Sequence, residues 1–166
     1  MSPLVFPGSI CGIDPGRPPK TVFAHQSSLD GPDALTGRWH CARKPPASHF
    51  DLVIAEKPEG VIRASRTPAS VMSPAGWGMA GLFSCNVTDD GMRVWIPTKA
   101  WKSKLFGEPF WNAKKAVFCA NIVQAFGLKG LDPEDDSDQD VIDAIGVAEA
   151  GSRFTRKELK AWLVRW

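Results

Sequence analysis

Four acids in this chain of 166 residues stand apart from ordinary surface carboxylates. Asp14 ends the apolar run Ile10-Cys11-Gly12-Ile13 and is followed by the turn pair Pro15-Gly16. Glu56 ends a second apolar run, Leu52-Val53-Ile54-Ala55, and is followed by Lys57-Pro58. Asp140 and Asp143 come late, with Asp143 set among Ile142, Ala144, Ile145 and Val147. At i and i+3 on a helix, the last two project from one face. Each has a plain structural account: Asp-Pro-Gly is a common turn, Glu56 has Lys57 and Arg63 as ordinary ion-pair partners, and acids early in a helix cap it and complement its dipole. That last account covers Asp135, Asp136 and Asp138 but not Asp143, because an acid inside an apolar stripe needs a partner. Taken together, four carboxylates suit two Mg²⁺ ions, which prefer oxygen ligands and keep some waters. Two such ions about 4 Å apart activate a water and stabilise the leaving oxygen of an in-line phosphoryl displacement. That chemistry needs no histidine base. His25, His40 and His49 fall outside these motifs and read as structural or surface residues.

The elements that must position these acids follow from periodicity. The run 10–14 suits a buried strand stopped by its turn. Lys20–Gln26 and Thr36–Arg43 read as second and third strands, the latter with Trp39 and Cys41 on one face and Lys44-Pro45-Pro46 as its breaker. Strands this closely spaced predict an antiparallel meander, since parallel neighbours need a longer crossover. Asp51–Glu56 reads as a strand covered on both faces. If it neighbours the first strand, Asp14 and Glu56 face each other at one sheet end, where two unpaired carboxylates repel and a metal is a natural partner. Residues 60–70, with Arg63 and Arg66, read as a loop, and Ser73–Cys85 as a helix with Pro74 in its first turn. Met92–Ile96 is a fifth strand candidate, with Thr98 as cap of a short helix that ends near Gly107. Trp111–Phe126 reads as a helix whose apolar face holds Val117, Phe118, Ile122, Ala125 and Phe126, with Gly127 as its stop. Thr155-Arg-Lys-Glu158 is a capping-box pattern opening a helix to Trp166, with Leu159, Trp162, Leu163 and Trp166 on its apolar face.

Length predicts one domain with a core of its own, and 43% apolar and 23% charged residues are ordinary for a globular protein. Cys11, Cys41, Cys85 and Cys119 are widely spaced and lack zinc-ligand spacing, which predicts free thiols in a reducing compartment. A basic-then-apolar leader and a spanning apolar run are both missing, which predicts a cytoplasmic chain with no membrane partner. The net charge of +2 conceals a pattern. Lys99–Lys115 carries five lysines against Glu108, residues 151–166 carry five basic residues against Glu158, and Asp132–Asp143 carries seven acids and no base. Basic patches can follow a phosphate backbone; each patch taken alone is equally a solvated face.

Gly12-Ile13-Asp14-Pro15-Gly16, Val53-Ile54-Ala55-Glu56 and Asp140-Val-Ile-Asp143-Ala144-Ile145-Gly146-Val147-Ala148, in this order over residues 9–150, resemble the RuvC-type Holliday junction resolvases of the RNase H-like superfamily. The first motif alone is shared with other nucleases and with actin-like ATPases; the late Asp-x-x-Asp-Ala motif makes the resemblance specific. The resemblance implies an α/β fold, a five-stranded mixed sheet flanked by helices on both faces, in a single nuclease domain over 1–166 (core about 9–150, C-terminal helix 155–166). It implies a homodimer that cuts opposing strands of a four-way DNA junction in recombination or repair. Asp14, Glu56, Asp140 and Asp143 would be catalytic metal ligands for two Mg²⁺ ions, with Mn²⁺ as an alternative. Lys102 and either Lys114 or Lys115 match lysines that approach the scissile phosphate. The small size and divergent sequence resemble a bacteriophage version. One departure is Glu59, where members of the family often carry a base-stacking aromatic; an acid there predicts looser base readout and a broader branched-DNA range. Three other readings stand beside this one. An actin-like ATPase needs a second domain for which there is no room, a junction-binding protein without catalysis has no use for four clustered acids, and an RNA–DNA hybrid nuclease differs in the shape of its substrate.

Overall fold

A computed structural model describes residues 8–16, 20–25, 39–57, 68–108 and 113–165, with 68–74 described by backbone alone. Five strands form one sheet: β1 (Ile10–Asp14), β2 (Val22–His25), β3 (His40–Ala42), β4 (His49–Lys57) and β5 (Asn86–Pro97), in the order β3-β2-β1-β4-β5. β1–β2–β3 is the expected antiparallel meander, while β1 pairs with β4, and β4 with β5, in parallel. The helices are α1 (Pro68–Ser84), α2 (Thr98–Phe106), α3 (Lys115–Phe126), α4 (Asp136–Gly151) and α5 (Arg156–Leu159), followed by a 3-10 turn, Lys160–Trp162.

The alternation of strand side chains divides the core in two. Cys11, Ile13, Val53 and Ala55 point to the α1 face, where they pack with Phe23, Phe50, Leu82 and Cys85. Ile10, Leu52, Ile54, Val94 and Ile96 point to the other face, against Trp101 of α2, Phe118 and Ile122 of α3, and Ile142 and Ile145 of α4. β4 is buried from Leu52 to Ala55, as expected of a strand covered on both sides. α4 lies directly on β1 because residue 12 is glycine: a Cβ there would sit 2.5 Å from the Ala144 carbonyl oxygen and 2.6 Å from the Ala148 nitrogen and Cβ. At the far end of the sheet Asp51 fastens β4 to its neighbours, accepting from the Ser9 N–H at 2.9 Å and the Thr88 hydroxyl at 2.9 Å.

Several elements differ from the sequence reading. α1 starts at Pro68, so part of the expected 60–70 loop is helix, Pro68 takes the first-turn place and Pro74 lies inside. β5 extends from Met92 back to Asn86 because it pairs with β4 down to His49, through a register shift between Phe50 and Leu52. Thr98 is the first helical residue and not a cap: β5 runs straight into α2, and extended Pro97 holds the cap position without a side-chain bond. α3 begins at Lys115, with Lys114 as N-cap, and ends at Gly127 in the left-handed conformation (φ 62°), as read. Val117 is 52% exposed, since α3 buries a single stripe of Phe118, Cys119 and Ile122. The Thr155–Glu158 capping box forms, but the helix stops at Leu159 because the chain turns to the edge of β5. There Leu163 bridges Val94, and the Val164 N–H donates to the Arg93 carbonyl at 2.8 Å. Glu59 and the segment 61–67 lie outside the described residues, as do Arg63, Arg66, Trp111 and Trp166.

Candidate active site

The same alternation that splits the core brings the acids together. Ile10, Gly12 and Asp14 share one face of β1, and Leu52, Ile54 and Glu56 share the same face of β4. Ile13 pairs with Ala55, so Asp14 and Glu56 are the next residues out at the carboxyl ends of parallel neighbours. Both surface on the α4 side. α4 then presents Asp140 and Asp143 to that sheet end, anchored by the close contact at Gly12. The acidic run before them is spent on the helix start: Asp135 accepts from the Asp138 N–H at 2.9 Å, Asp138 from the Asp132 N–H at 2.9 Å, and Asp132 from the Glu134 N–H at 2.9 Å.

The electrostatics record how close the four are. Burial first, then the charges of Asp143, Glu56 and Asp140, push Asp14 well above the usual carboxylate range. Burial and Asp143 raise Glu56 to about 7, against the pull of its Trp101 hydrogen bond, Lys102 and Lys115. Burial raises Asp143 as well, opposed by Lys115, Lys102 and a bond from the Cys119 thiol, whose Sγ lies 3.7 Å from Asp143 Oδ1. The thiol in turn is driven up to about 12 by burial and by Asp143. This is what buried like charges do when too few cations answer them.

Two of the expected lysines answer in part. Lys115 Nζ lies 3.6 Å from Asp143 Oδ2 and 3.8 Å from Asp140 Oδ1, while Lys114, one residue earlier, is exposed at the N-cap. Lys102 lies 4.7 Å over the Phe118 ring and 5.6 Å over Trp101, where its charge lowers Glu56 and Asp143.

No family model and no curated protein matches the chain in sequence. Solved structures match in shape, RuvC among them. Thermus thermophilus RuvC is 16% identical, with a TM-score of 0.52, over 91% of this chain and 97% of that one. T. thermophilus RuvC in complex with Holliday junction substrate is 14% identical, with a TM-score of 0.53, over 88% of this chain and 95% of that one. The fold is RuvC-like. The expected five-stranded mixed sheet with helices on both faces is borne out.

Within this RuvC-like fold, no three histidines, cysteines or acids among the described residues form a ready-made metal cage. The donor chemistry nevertheless fits a hard divalent cation. Four carboxylates from two strands and a helix stand at one sheet end, and three of them, Asp14, Glu56 and Asp143, have raised proton affinities that a cation would relieve. Magnesium asks for one or two carboxylates and keeps its waters, so a full protein cage is not required. Lys115, itself raised by Asp143, Asp14 and Asp140 against the opposing effect of burial, stands as the local countercharge.

Sequence reasoning missed one member of this neighbourhood and one buried polar contact elsewhere in the core. Trp101 donates its indole N–H to Glu56 Oε2 at 2.6 Å, and Trp39 does the same to the buried Glu149 Oε1 at 2.9 Å. The available signal was that a buried tryptophan seeks an acceptor for its N–H. The cysteines are free, with Cys11, Cys85 and Cys119 buried. Among the described residues no helix is long and apolar enough to cross a membrane.

Proposed function

We propose that the chain is a structure-selective DNA endonuclease that resolves four-way junctions inside the cell by metal-dependent phosphodiester hydrolysis. The observation that carries this reading is the convergence of Asp14, Glu56, Asp140 and Asp143 at one sheet end, where burial and then mutual repulsion raise the proton affinity of Asp14. The RuvC-like fold supports it, since a structure with that fold holds Holliday junction substrate. Asp14, Glu56, Asp140 and Asp143 would hold two Mg²⁺ ions, or Mn²⁺. Bound metal supplies a nucleophilic water and charge neutralisation at the phosphate. Lys102 and Lys115 stand beside the acids and would meet the incoming phosphate backbone, with Lys114 further out. One such site per chain cuts one strand, so paired cuts require a homodimer.

A broader nuclease acting on flaps and forks is the second reading, favoured by the acid at position 59, where stacking on a base would need an aromatic. The test is cleavage of a labelled four-way junction beside a flap, plain duplex and an RNA–DNA hybrid, in Mg²⁺ and in EDTA. Symmetric metal-dependent cuts confined to the junction are expected. Equal cutting of flaps selects the broader reading; tight binding without any cleavage selects a binding protein and sinks the enzyme. Asp14→Asn is expected to lower cleavage at least about a thousandfold and to leave junction affinity within about twofold, since the acid serves metal and not DNA.

A further inference from the structure

Trp101 does something for this site that its size alone does not require. Its indole is fully buried. It is clamped from three sides. α4 comes so near that a Cβ on Gly146 would lie 2.9 Å from its Cζ3, Phe118 meets it edge-on at 5.4 Å between ring centroids, and its N–H is bonded to Glu56 Oε2 at 2.6 Å. That bond is short even for a donor facing a carboxylate. An indole nitrogen can only donate, so the acceptor must be the carboxylate oxygen, and the ring has no freedom to turn away. Glu56 Oε1 makes no hydrogen bond among the described residues. The same aromatic pair carries Lys102, the next residue in the chain, whose ammonium lies over both rings. One rigid platform thus touches an acid of the site and a cation beside it.

We infer that Trp101 is a positioning residue of the proposed metal site: its indole N–H fixes one oxygen of Glu56, so that the carboxylate is set for a divalent cation before the cation arrives. This rests on the metal-dependent reading given above. Groups one layer behind a ligand orient it and sharpen its affinity, and their loss typically weakens metal binding about 10–100-fold. An aliphatic side chain at 101 would fill the space but would leave Glu56 to rotate away from Asp143, whose charge opposes it. The bond to Trp101 holds it in place.

The test uses Trp101→Phe, which keeps a ring against Phe118 and removes the N–H. Mn²⁺ binding to the full chain, measured by electron paramagnetic resonance without DNA, is expected to weaken about tenfold. Junction affinity in EDTA should stay within about twofold, and the cleavage deficit should appear in kcat, not KM. In a Glu56→Gln background the same substitution should cause no further loss of Mn²⁺ binding, because the effect passes through Glu56. Mn²⁺ binding by Trp101→Phe equal to wild type overturns the inference. If the variant does not fold, the wild type decides. Of seven tryptophans, one indole N–H signal should move on Mg²⁺ addition, and that response should vanish in Glu56→Gln. A wild type that binds Mn²⁺ without such a response also overturns the role of Trp101. A wild type that binds no Mn²⁺ overturns the metal site itself, so the two failures are distinguishable.

Discussion

Carboxylates in this chain serve opposite ends, and their surroundings decide which. Asp51 is held below its usual range by the Ser9 N–H, with Thr88 adding to it, and Glu158 by the Thr155 N–H and Lys104. Groups lowered on folding favour the folded state above their unfolded pKa and lose that contribution as the pH falls. Asp14, Glu56 and Asp143 are raised. Between its ordinary value of 4.5 and about 7, Glu56 is ionised in the unfolded chain while still protonated in the folded one, so rising pH favours unfolding. The span corresponds to at most about 3 kcal/mol for Glu56. Metal-free protein is therefore expected to lose stability from about pH 5 to about pH 8, and Mg²⁺ to restore it at the upper end. Glu56→Gln should flatten that decline. Urea unfolding in EDTA and in Mg²⁺ at both pH values checks the sign; a metal-free protein that gains stability over this range would contradict it.

At the scale of elements, the site depends on α4 lying flat on β1, and Gly12 permits that. Gly12→Ala is expected to cost upwards of about 2 kcal/mol, because its Cβ meets backbone and not a flexible side-chain tip. Because the same contact sets Asp140 and Asp143 against Asp14, Mn²⁺ affinity should fall with it. Thr155→Ala removes one half of the capping box and should cost about 1 kcal/mol with no change in metal binding. Denaturant titration of both variants separates the two effects. How far the sequence disclosed these elements follows from how local each signal is. Strand ends at Asp14 and Glu56 were legible because an apolar run and a turn are adjacent in sequence. So were the α4 acids, because Asp143 breaks an apolar stripe. Partners distant in the chain were not legible: Trp101 to Glu56 spans 45 residues and Trp39 to Glu149 spans 110. The length of β5 was hidden for the same reason, since pairing with β4, not composition, extends it to Asn86. The apolar spacing of 155–166 matched a helix, yet the chain finds backbone partners on β5 after Trp162.

For the whole molecule, charge is arranged and not merely summed. Lys102 and Lys115 stand beside the acids, with Lys114 exposed at the N-cap of α3, while Lys157 and Lys160 are exposed on the C-terminal turn. If the chain binds a junction through phosphates, the affinity must fall steeply with salt, by about 0.9 in log–log slope for each phosphate neutralised. Lys102→Ala and Lys115→Ala are each expected to reduce that slope by about one, while Lys157→Ala leaves it unchanged if the C-terminal face is merely solvated. Fluorescence anisotropy with a labelled junction across a salt series reads this directly. A flat salt dependence in the wild type would argue against backbone recognition altogether.

The short backbone pairing at the end of the chain has a consequence for solubility. β5 is the outer strand of the sheet, and Leu163 and Val164 cover a stretch of it that would otherwise present bare peptide groups. An uncovered strand margin recruits the margins of other copies. A chain shortened to end at Ser152 keeps all four acids and the helix that bears two of them, so its chemistry would be intact on paper. It is expected to accumulate as concentration-dependent aggregates, visible by light scattering, because it bares the open side of the sheet together with the core contacts of Phe154 and Leu159.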